Sequence, residues 1–225
     1  MSRTGPPVPA WLQLVADTSH DDMELVQRTA HLPGGRESAV LMLFGPAPEG
    51  VERIGDSGGA TLVLTERAHT LRSHPGQVSF PGGRVDPTDD GPVDAALREA
   101  EEEIGALRSG IDVVGMLPQL PLSVTGFSVT PVLGWWREPM PVGVVDPAEV
   151  ARVVVVPVEE LTDPANRFMA VHPARAFAAP AFEVQGLYVW GFTAILIAEF
   201  LDLAGLTRPW DTSDERPVPA RFLVR

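Results

Sequence analysis

A dense run of carboxylates dominates the chemistry that this sequence of 225 residues offers. Between Arg98 and Gly105 the chain reads REAEEEIG, which places Glu99, Glu102 and Glu103 at i, i+3 and i+4. In an α-helix these three side chains share one face, and like charges at this spacing repel each other. A divalent cation would turn that repulsion into attraction. Because the donors are all oxygens and the chain has no cysteine, the pattern favours Mg²⁺ or Mn²⁺ over Zn²⁺.

The residues around these glutamates have the pattern of an amphipathic helix. Pro92 suits a first helical turn and Gly105 suits a C-terminal stop. An apolar stripe follows the 3.6-residue period and consists of Val93, Ala96, Leu97, Ala100 and Ile104. Taken alone, the glutamates also fit a solvated helix face. The preceding Phe80-Pro81-Gly82-Gly83 segment favours a binding site, since paired glycines let backbone approach a phosphate or a metal.

The spacing of these features resembles the Nudix box, G-x5-E-x7-R-E-U-x-E-E-x-G-U, where U is apolar. Residues 98–106 match its second half at every fixed position. In the first half, counting from Gly83, Asp89 stands where a glutamate is usual, and eight residues rather than seven separate it from Arg98. Asp90 fits the spacing to Arg98 instead. The sequence leaves open which aspartate takes the acidic place in the turn.

A second segment makes the resemblance more specific, from the Nudix family to one of its subgroups. Residues 64–83, LTERAHTLRSHPGQVSFPGG, are similar to the signature that precedes the box in coenzyme A pyrophosphatases (CoA diphosphatases), and the one-residue expansion of the box is typical of the same subgroup. Weaker similarity continues at 123–132, 149–150 and 190–193, so that the resemblance covers roughly residues 38 to 205. It implies an α/β fold, the Nudix α/β/α sandwich with a mixed β-sheet, which the alternation of predicted strands and helices also favours.

The resemblance also implies a reaction. Coenzyme A, or an acyl or oxidised form of it, would be cleaved at its pyrophosphate bond to adenosine 3′,5′-bisphosphate and 4′-phosphopantetheine. One alternative is hydrolysis of another nucleoside diphosphate derivative, such as ADP-ribose or NADH. Another is a Nudix-fold binding module without turnover, against which the intact Arg98 and three glutamates argue.

We assign Glu99, Glu102 and Glu103 as metal ligands and catalytic residues, with the carbonyl group of Gly83 as an additional ligand. Arg98 lies one turn before Glu102 and is predicted to orient that carboxylate through an ion pair. Glu149 resembles a downstream glutamate of the subgroup and is assigned as a metal ligand or the general base. Glu103 is the rival candidate for the base, and the alternative for Glu149 is an ordinary loop residue.

All seventeen basic residues are arginines, so a cationic contact to phosphate must come from a guanidinium group or from metal. Three of them flank the glycine pair, although surface charge is the alternative explanation. A histidine satisfied by a backbone carbonyl is the alternative for the one histidine in the signature. The predicted substrate-binding residues are Arg67, Arg72, His74, Gly82, Gly83 and Arg84.

The charge and the hydropathy pattern of the sequence limit the classes of partner that the protein could bind. A net charge of −13 without a basic run argues against nucleic-acid and anionic-membrane binding. The apolar stretch from Leu187 is interrupted by Gly191, Glu199 and Asp202, and predicts a buried strand followed by a helix rather than a membrane span. The N-terminus lacks the pattern of a signal peptide. We therefore expect a cytoplasmic enzyme with a small-molecule substrate, and leave a homodimer open.

Three regions are predicted: an N-terminal helical extension packed on the domain (1–35), a Nudix hydrolase domain (36–206) and a C-terminal tail along the surface (207–225). Segment 162–185 is predicted to be a long loop, over the site or at a dimer contact. The predicted strands cover 39–44, 61–65, 113–117, 129–136, 152–157 and 187–190. The predicted helices cover 11–15, 22–29, 93–104, 159–161 and 193–203.

Overall fold

The computed structural model describes residues 5–18, 20, 23–29, 31–47, 55–122, 126–173 and 178–223. Within these ranges the main sheet has eight strands and a second sheet has four. The main sheet contains β1 (Arg36–Gly45), β2 (Thr61–Arg67), β3 (Val78–Ser79), β4 (Gly82–Arg84), β5 (Ile111–Met116), β6 (Leu120–Leu122), β7 (Phe127–Trp136) and β8 (Val150–Pro157). The second sheet contains β9 (Arg167–Val171), β10 (Ala178–Val184), β11 (Leu187–Val189) and β12 (Glu215–Pro217). The helices are α1 (Ala10–Asp17), α2 (Glu24–Thr29), α3 (Pro92–Ile104), α4 (Val158–Thr162) and α5 (Gly191–Leu203).

The main sheet is mixed. At its centre β1 runs parallel to β7, with residues 36–44 opposite 127–135. On its other side β1 pairs antiparallel with both β2 and β4, and β2 pairs antiparallel with β8. The central β1–β7 pair is almost wholly buried, as expected for parallel strands covered on both faces.

Side-chain alternation along β1 divides the core into two layers. Leu41 and Leu43 belong to a cluster with α3, whereas Met42 and Phe44 belong to a larger cluster with α1 and α5. The Phe44 ring stacks on Phe200 of α5 with centroids 4.6 Å apart. Helices therefore cover both faces of the sheet, and the predicted α/β/α sandwich with a mixed sheet is confirmed.

The predicted glutamate-bearing helix is confirmed as α3. It begins at Pro92 and ends before Gly105, which has a φ of 76° and closes the helix through its N–H to the carbonyls of Ala100 and Glu101. A left-handed φ favours glycine at this place. On the apolar stripe, Ala96, Ala100 and Ile104 are fully buried against the sheet, which fixes the rotation of the helix.

The prediction of a long loop over 162–185 is wrong. β9 and β10 form an antiparallel ladder, and Phe168 and Phe182 are fully buried there. The local sequence is rich in alanine and proline and has weak strand propensity, so these strands depend on pairing with β11 and β12. Residues 174–177, which follow β9, lie outside the described ranges.

The two ends of the chain pack against the rest of the fold. In α1, Leu12 and Val15 are fully buried and Trp11 meets the ring of Phe44 edge to face. At the other end β12 pairs parallel with β9, and Phe222 is buried in the cluster of the second sheet. The tail therefore contributes a strand and core residues, while the predicted limits of the three regions stay a prediction.

None of the helices in the described ranges has the length and apolar character needed to cross a membrane.

Candidate active site

The acidic turn before α3 is held by an aspartate–arginine pair. Nε and Nη2 of Arg98 donate to the two carboxylate oxygens of Asp89 at 2.9 and 3.0 Å, and the backbone N–H of Asp86 donates to the same carboxylate at 2.7 Å. The Asp89 side chain is only 2% exposed. The Arg98 guanidinium lowers the pKa of Asp89, so this carboxylate is charged at neutral pH. Asp89 therefore takes the acidic place, and the extra residue of the box lies between it and Arg98.

The same arginine connects the turn to the helix. Nη1 of Arg98 donates to Glu99 at 3.1 Å and to Glu102 at 2.9 Å, while Nη2 donates to the carbonyl of Arg84 at 3.1 Å. The predicted ion pair between Arg98 and Glu102 is present. Since the guanidinium is fixed by five acceptors, it holds both carboxylates in defined orientations.

The three glutamates lie at different depths. Glu103 is 5% exposed and accepts a hydrogen bond from the N–H of Gly82 at 3.1 Å. The Glu99 side chain is 16% exposed, whereas that of Glu102 is 59% exposed. Burial raises the pKa of Glu99 and raises that of Glu103 to about 8. Charge at Glu149 adds to both shifts, while the Gly82 N–H and Arg67 act in the opposite direction on Glu103. Glu103 thus lies innermost against Gly82, Glu99 is half-buried, and Glu102 lies at the surface.

The glycine pair makes this approach of backbone to carboxylate feasible. In β4, Gly82 pairs with Val40 and Gly83 with Ala39 of β1. A Cβ atom at Gly82, where φ is 155°, would lie 2.3 Å from the carbonyl oxygen of Ala39. A Cβ atom at Gly83 would lie 2.3 Å from Oε1 of Glu99. Neither position has room for a side chain, so the glycines are required by the contact with β1 and α3.

Glu149 comes close to the same carboxylates from another element. It immediately precedes β8, its side chain is exposed, and its carbonyl accepts a hydrogen bond from the N–H of Ala68 at 2.8 Å. Its charge makes a small contribution, after that of burial, to the raised pKa values of Glu99 and Glu103. The structure thus brings together residues that are almost fifty positions apart in the sequence.

The other predicted substrate-binding residues lie at the ends of β2 and β4 and in the loop between β2 and β3. Arg67 ends β2, and its charge acts on Glu103. The Arg84 guanidinium is exposed and lies 5.7 Å from the ring centroid of Phe127. Arg72 is exposed in the loop after β2. His74, in the same loop, has a left-handed φ of 56°, and its Nδ1 lies 3.1 Å from Oε1 of Gln77.

The donor set fits a hard divalent cation. Across the described ranges no group of three acidic or histidine side chains has already converged as a metal cluster, because Arg98 holds Glu99 and Glu102 while Gly82 holds Glu103. Even so, the carboxylates of buried Glu103 and half-buried Glu99 act on each other and are both affected by the charge of Glu149, with raised pKa values. A divalent cation would relieve that repulsion, and oxygen donors suit Mg²⁺ or Mn²⁺.

A sandwich of this kind, with an acidic helix against a paired-glycine loop, defines a Nudix hydrolase. Residues 50–178 match the model of the NUDIX domain, and the chain belongs to the Nudix family. Enzymes of this family act on nucleoside diphosphate derivatives and in general require divalent metal ions. The predicted Nudix hydrolase is confirmed at this level.

Several bacterial relatives are similar to this chain. A protein named uncharacterized Nudix hydrolase NudL from Cronobacter sakazakii is 43% identical over 144 residues, which cover 61% of this chain and 72% of that protein. Its namesake from Escherichia coli K12 is 40% identical over the same coverage. The crystal structure of the Nudix hydrolase RenU from M. smegmatis aligns with a TM-score of 0.52 at 18% identity, over 80% of this chain and 92% of that one. This last similarity shows a shared fold.

Proposed function

We propose that the protein hydrolyses the pyrophosphate bond of coenzyme A, or of its acyl or oxidised derivatives, with Mg²⁺ or Mn²⁺. The products are adenosine 3′,5′-bisphosphate and the corresponding 4′-phosphopantetheine. One observation carries the proposal: the signature segment 64–83 is hydrogen-bonded to the acidic residues. The Ala68 N–H donates a hydrogen bond to the backbone carbonyl of Glu149, and the Gly82 N–H donates one to the carboxylate of Glu103.

In this proposal Glu99, Glu102 and Glu103 hold the metal, with the carbonyl of Gly83 as a further ligand. Bound divalent ions polarise phosphoryl oxygens and lower the pKa of coordinated water. Arg98 keeps Glu99 and Glu102 in place through hydrogen bonds of 3.1 and 2.9 Å. The charge of the diphosphate is bound by groups of the chain that border the loop: Arg67, Arg72, His74, Arg84 and the backbone of Gly82 and Gly83.

Glu149 is our assignment for the general base. Glu103 is 5% exposed and already accepts the N–H of Gly82, which leaves little room for a water molecule on that oxygen. Glu149 is exposed and close enough for its charge to influence the carboxylates of Glu99 and Glu103. If Glu149 is a metal ligand instead, Glu149→Gln will weaken metal binding; loss of turnover at unchanged metal affinity supports the base.

A substrate panel tests the reaction. The purified protein with Mg²⁺ or Mn²⁺ is given coenzyme A, acetyl-coenzyme A, coenzyme A disulfide, ADP-ribose, NADH and nucleoside triphosphates, and the products are identified by mass. We expect the highest kcat/KM for the coenzyme A compounds. A higher value for ADP-ribose or NADH would replace the proposal by the broader nucleoside diphosphate activity, and metal binding without turnover of any compound would indicate a binding module. A cytoplasmic location and a homodimer remain predictions.

A pair of variants on one helix tests the metal ligands. Glu102 and Glu101 are adjacent and both partly exposed, at 59% and 44% of their side chains, so that neither substitution should unfold the protein. We expect Glu102→Gln to lower kcat about 10²-fold or more, because a charged ligand at the reacting phosphate is lost. Glu101 faces Arg108, so Glu101→Gln serves as the matched control, and we expect its activity to be unchanged. Equal activity of the two variants would contradict the assignment of Glu102.

A further inference from the structure

A cavity lies at the end of β2, beside the loop between β2 and β3. It has a volume of about 290 Å³ and is walled by the loop after β2, the turn between β10 and β11, and the C-terminal segment. Its main lining residues are Glu66, His69, Gly76, Tyr188, Arg221 and Phe222. Small-molecule sites usually measure about 300–1,000 Å³, so this space suits one ring system rather than a whole substrate.

One wall of the cavity is aromatic and has an unsatisfied polar group. The rings of Tyr188 and Phe222 stack with centroids 5.7 Å apart, and Trp190 lies 6.2 Å from Phe222. The Tyr188 hydroxyl is buried and has no hydrogen-bond partner in the described part of the chain. Burial raises the pKa of Tyr188, which keeps this hydroxyl neutral and able to donate. An aromatic face next to an unpaired donor fits a heteroaromatic ring with acceptor atoms, such as a nucleobase.

The aromatic wall also carries a positive charge. The Arg221 guanidinium is exposed, lies 4.6 Å over the ring of Phe222, and has no carboxylate partner within the ranges that the structure describes. The carboxylate of Glu66, in contrast, pairs with the Arg152 guanidinium at 3.3 Å, and Nε2 of His69 also lies 3.3 Å from it. Arg221 is therefore the cation available at this cavity, and its planar guanidinium suits a phosphate group.

The cavity is joined to the carboxylate site through the end of β2. Glu66 lines the cavity, and the next residue, Arg67, acts on Glu103. Val78, also in the lining, is four residues before Gly82, which limits their separation to about 14 Å. An extended nucleotide spans such a distance between its base and its terminal phosphate.

We propose that this pocket binds the nucleoside 3′-phosphate end of the diphosphate substrate. The base stacks on the Tyr188–Phe222 wall, and Arg221 pairs with the 3′-phosphate while the diphosphate lies at the glutamates. The C-terminal segment would then determine specificity. Gln77 of the signature holds that segment in place, since its Nε2 donates to the Phe222 carbonyl at 3.5 Å. The inference rests on the proposed function for the identity of the substrate.

The first experiment compares coenzyme A with 3′-dephospho-coenzyme A. We expect Arg221→Ala to raise KM for coenzyme A about tenfold, to leave kcat nearly unchanged, and to leave the constants for the dephospho compound as they are. Arg208→Ala is the matched control, since Arg208 is partly exposed in the same tail but faces Asp56 at 3.9 Å. An equal effect of Arg221→Ala on both substrates, or no effect on either, overturns the proposal.

The second experiment needs no turnover. Binding of adenosine 3′,5′-bisphosphate is measured by calorimetry in the wild type, Arg221→Ala and Tyr188→Phe. Weaker binding in both variants, with Arg208→Ala unchanged, supports the pocket. Unchanged binding in both variants overturns it even if coenzyme A is hydrolysed. A protein that binds the bisphosphate through Arg221 but does not cleave coenzyme A would instead refute the proposed function.

Discussion

The bond between Asp89 and Arg98 gives the sharpest stability prediction, because the sequence offered two adjacent aspartates and the structure selects one. Asp89 accepts two hydrogen bonds from the guanidinium and one from the backbone of Asp86, in a site that is 2% exposed. Asp90 is exposed, and its backbone N–H donates to the Asp94 carboxylate at 3.3 Å. Asp89→Asn and Asp90→Asn are therefore near-isosteric changes with different expected costs.

The magnitude follows from the bonds that are lost. A hydrogen bond to a charged partner contributes about 1.5–3 kcal/mol, and stranding a buried charge would add to the cost. Arg98 is not stranded, since Glu99, Glu102 and the Arg84 carbonyl still accept from it. We expect Asp89→Asn to lower the free energy of unfolding by about 2 kcal/mol, and Asp90→Asn to change it by about 0.5 kcal/mol or less.

Urea denaturation at neutral pH measures both values, and pH gives an independent check. Because the pKa of Asp89 is lowered from 3.8 in the folded protein, its contribution is present above pH 3.8 and is lost as the pH falls through the folded-state pKa. The difference between wild type and Asp89→Asn should shrink in that acidic range. If Asp90→Asn costs as much as Asp89→Asn, the assignment of the acidic place is refuted.

Two further predictions concern the glycine loop and the interior of α5. The Gly83→Ala variant should keep its fold but have lower turnover, because the new Cβ would lie 2.3 Å from Oε1 of Glu99 and that carboxylate must move. Circular dichroism measures the fold and a steady-state assay measures the turnover. Unchanged turnover would contradict the prediction. Burial raises the pKa of Glu199 to about 7 from 4.5, so the free energy of unfolding should fall as the pH rises from 4.5 to about 7. Glu199→Gln, which keeps an acceptor for the Leu25 N–H at 2.7 Å, should flatten that dependence in thermal melts, and an unchanged slope would argue against it.

Much of the site could be predicted from local sequence because helical periodicity places residues by number. The stripe from Val93 to Ile104 fixed which face of α3 packs on the sheet, and so placed Glu99, Glu102 and Glu103 together. The ion pair between Arg98 and Glu102 follows from the same i, i+4 spacing. Such features depend on bonds within one element: the helix and the ion pair were confirmed, while the role of the three glutamates as metal ligands stays a prediction.

Other features depend on contacts between distant parts of the chain. The strands β9 and β10 were missed because their pairing, and the addition of β12 from the tail, outweigh weak local propensity. Nothing in the spacing of Tyr188, Arg221 and Phe222 indicates that they share a cavity with Glu66. The signal that could have suggested a role for the tail is the apolar pair Phe222-Leu223 in an otherwise polar, proline-rich segment.

The sequence by itself determined the acidic helix, the glycine pair and the family to which they belong, because these depend on residue spacing along one short segment. Only the tertiary structure decided that Asp89 rather than Asp90 binds Arg98, that Gly83 lies against Glu99, and that the charge of Glu149 acts on Glu99 and Glu103. The reason is physical: a helix repeats at a fixed interval, whereas the closure of a turn and the burial of a charge depend on which distant residues exclude water around it.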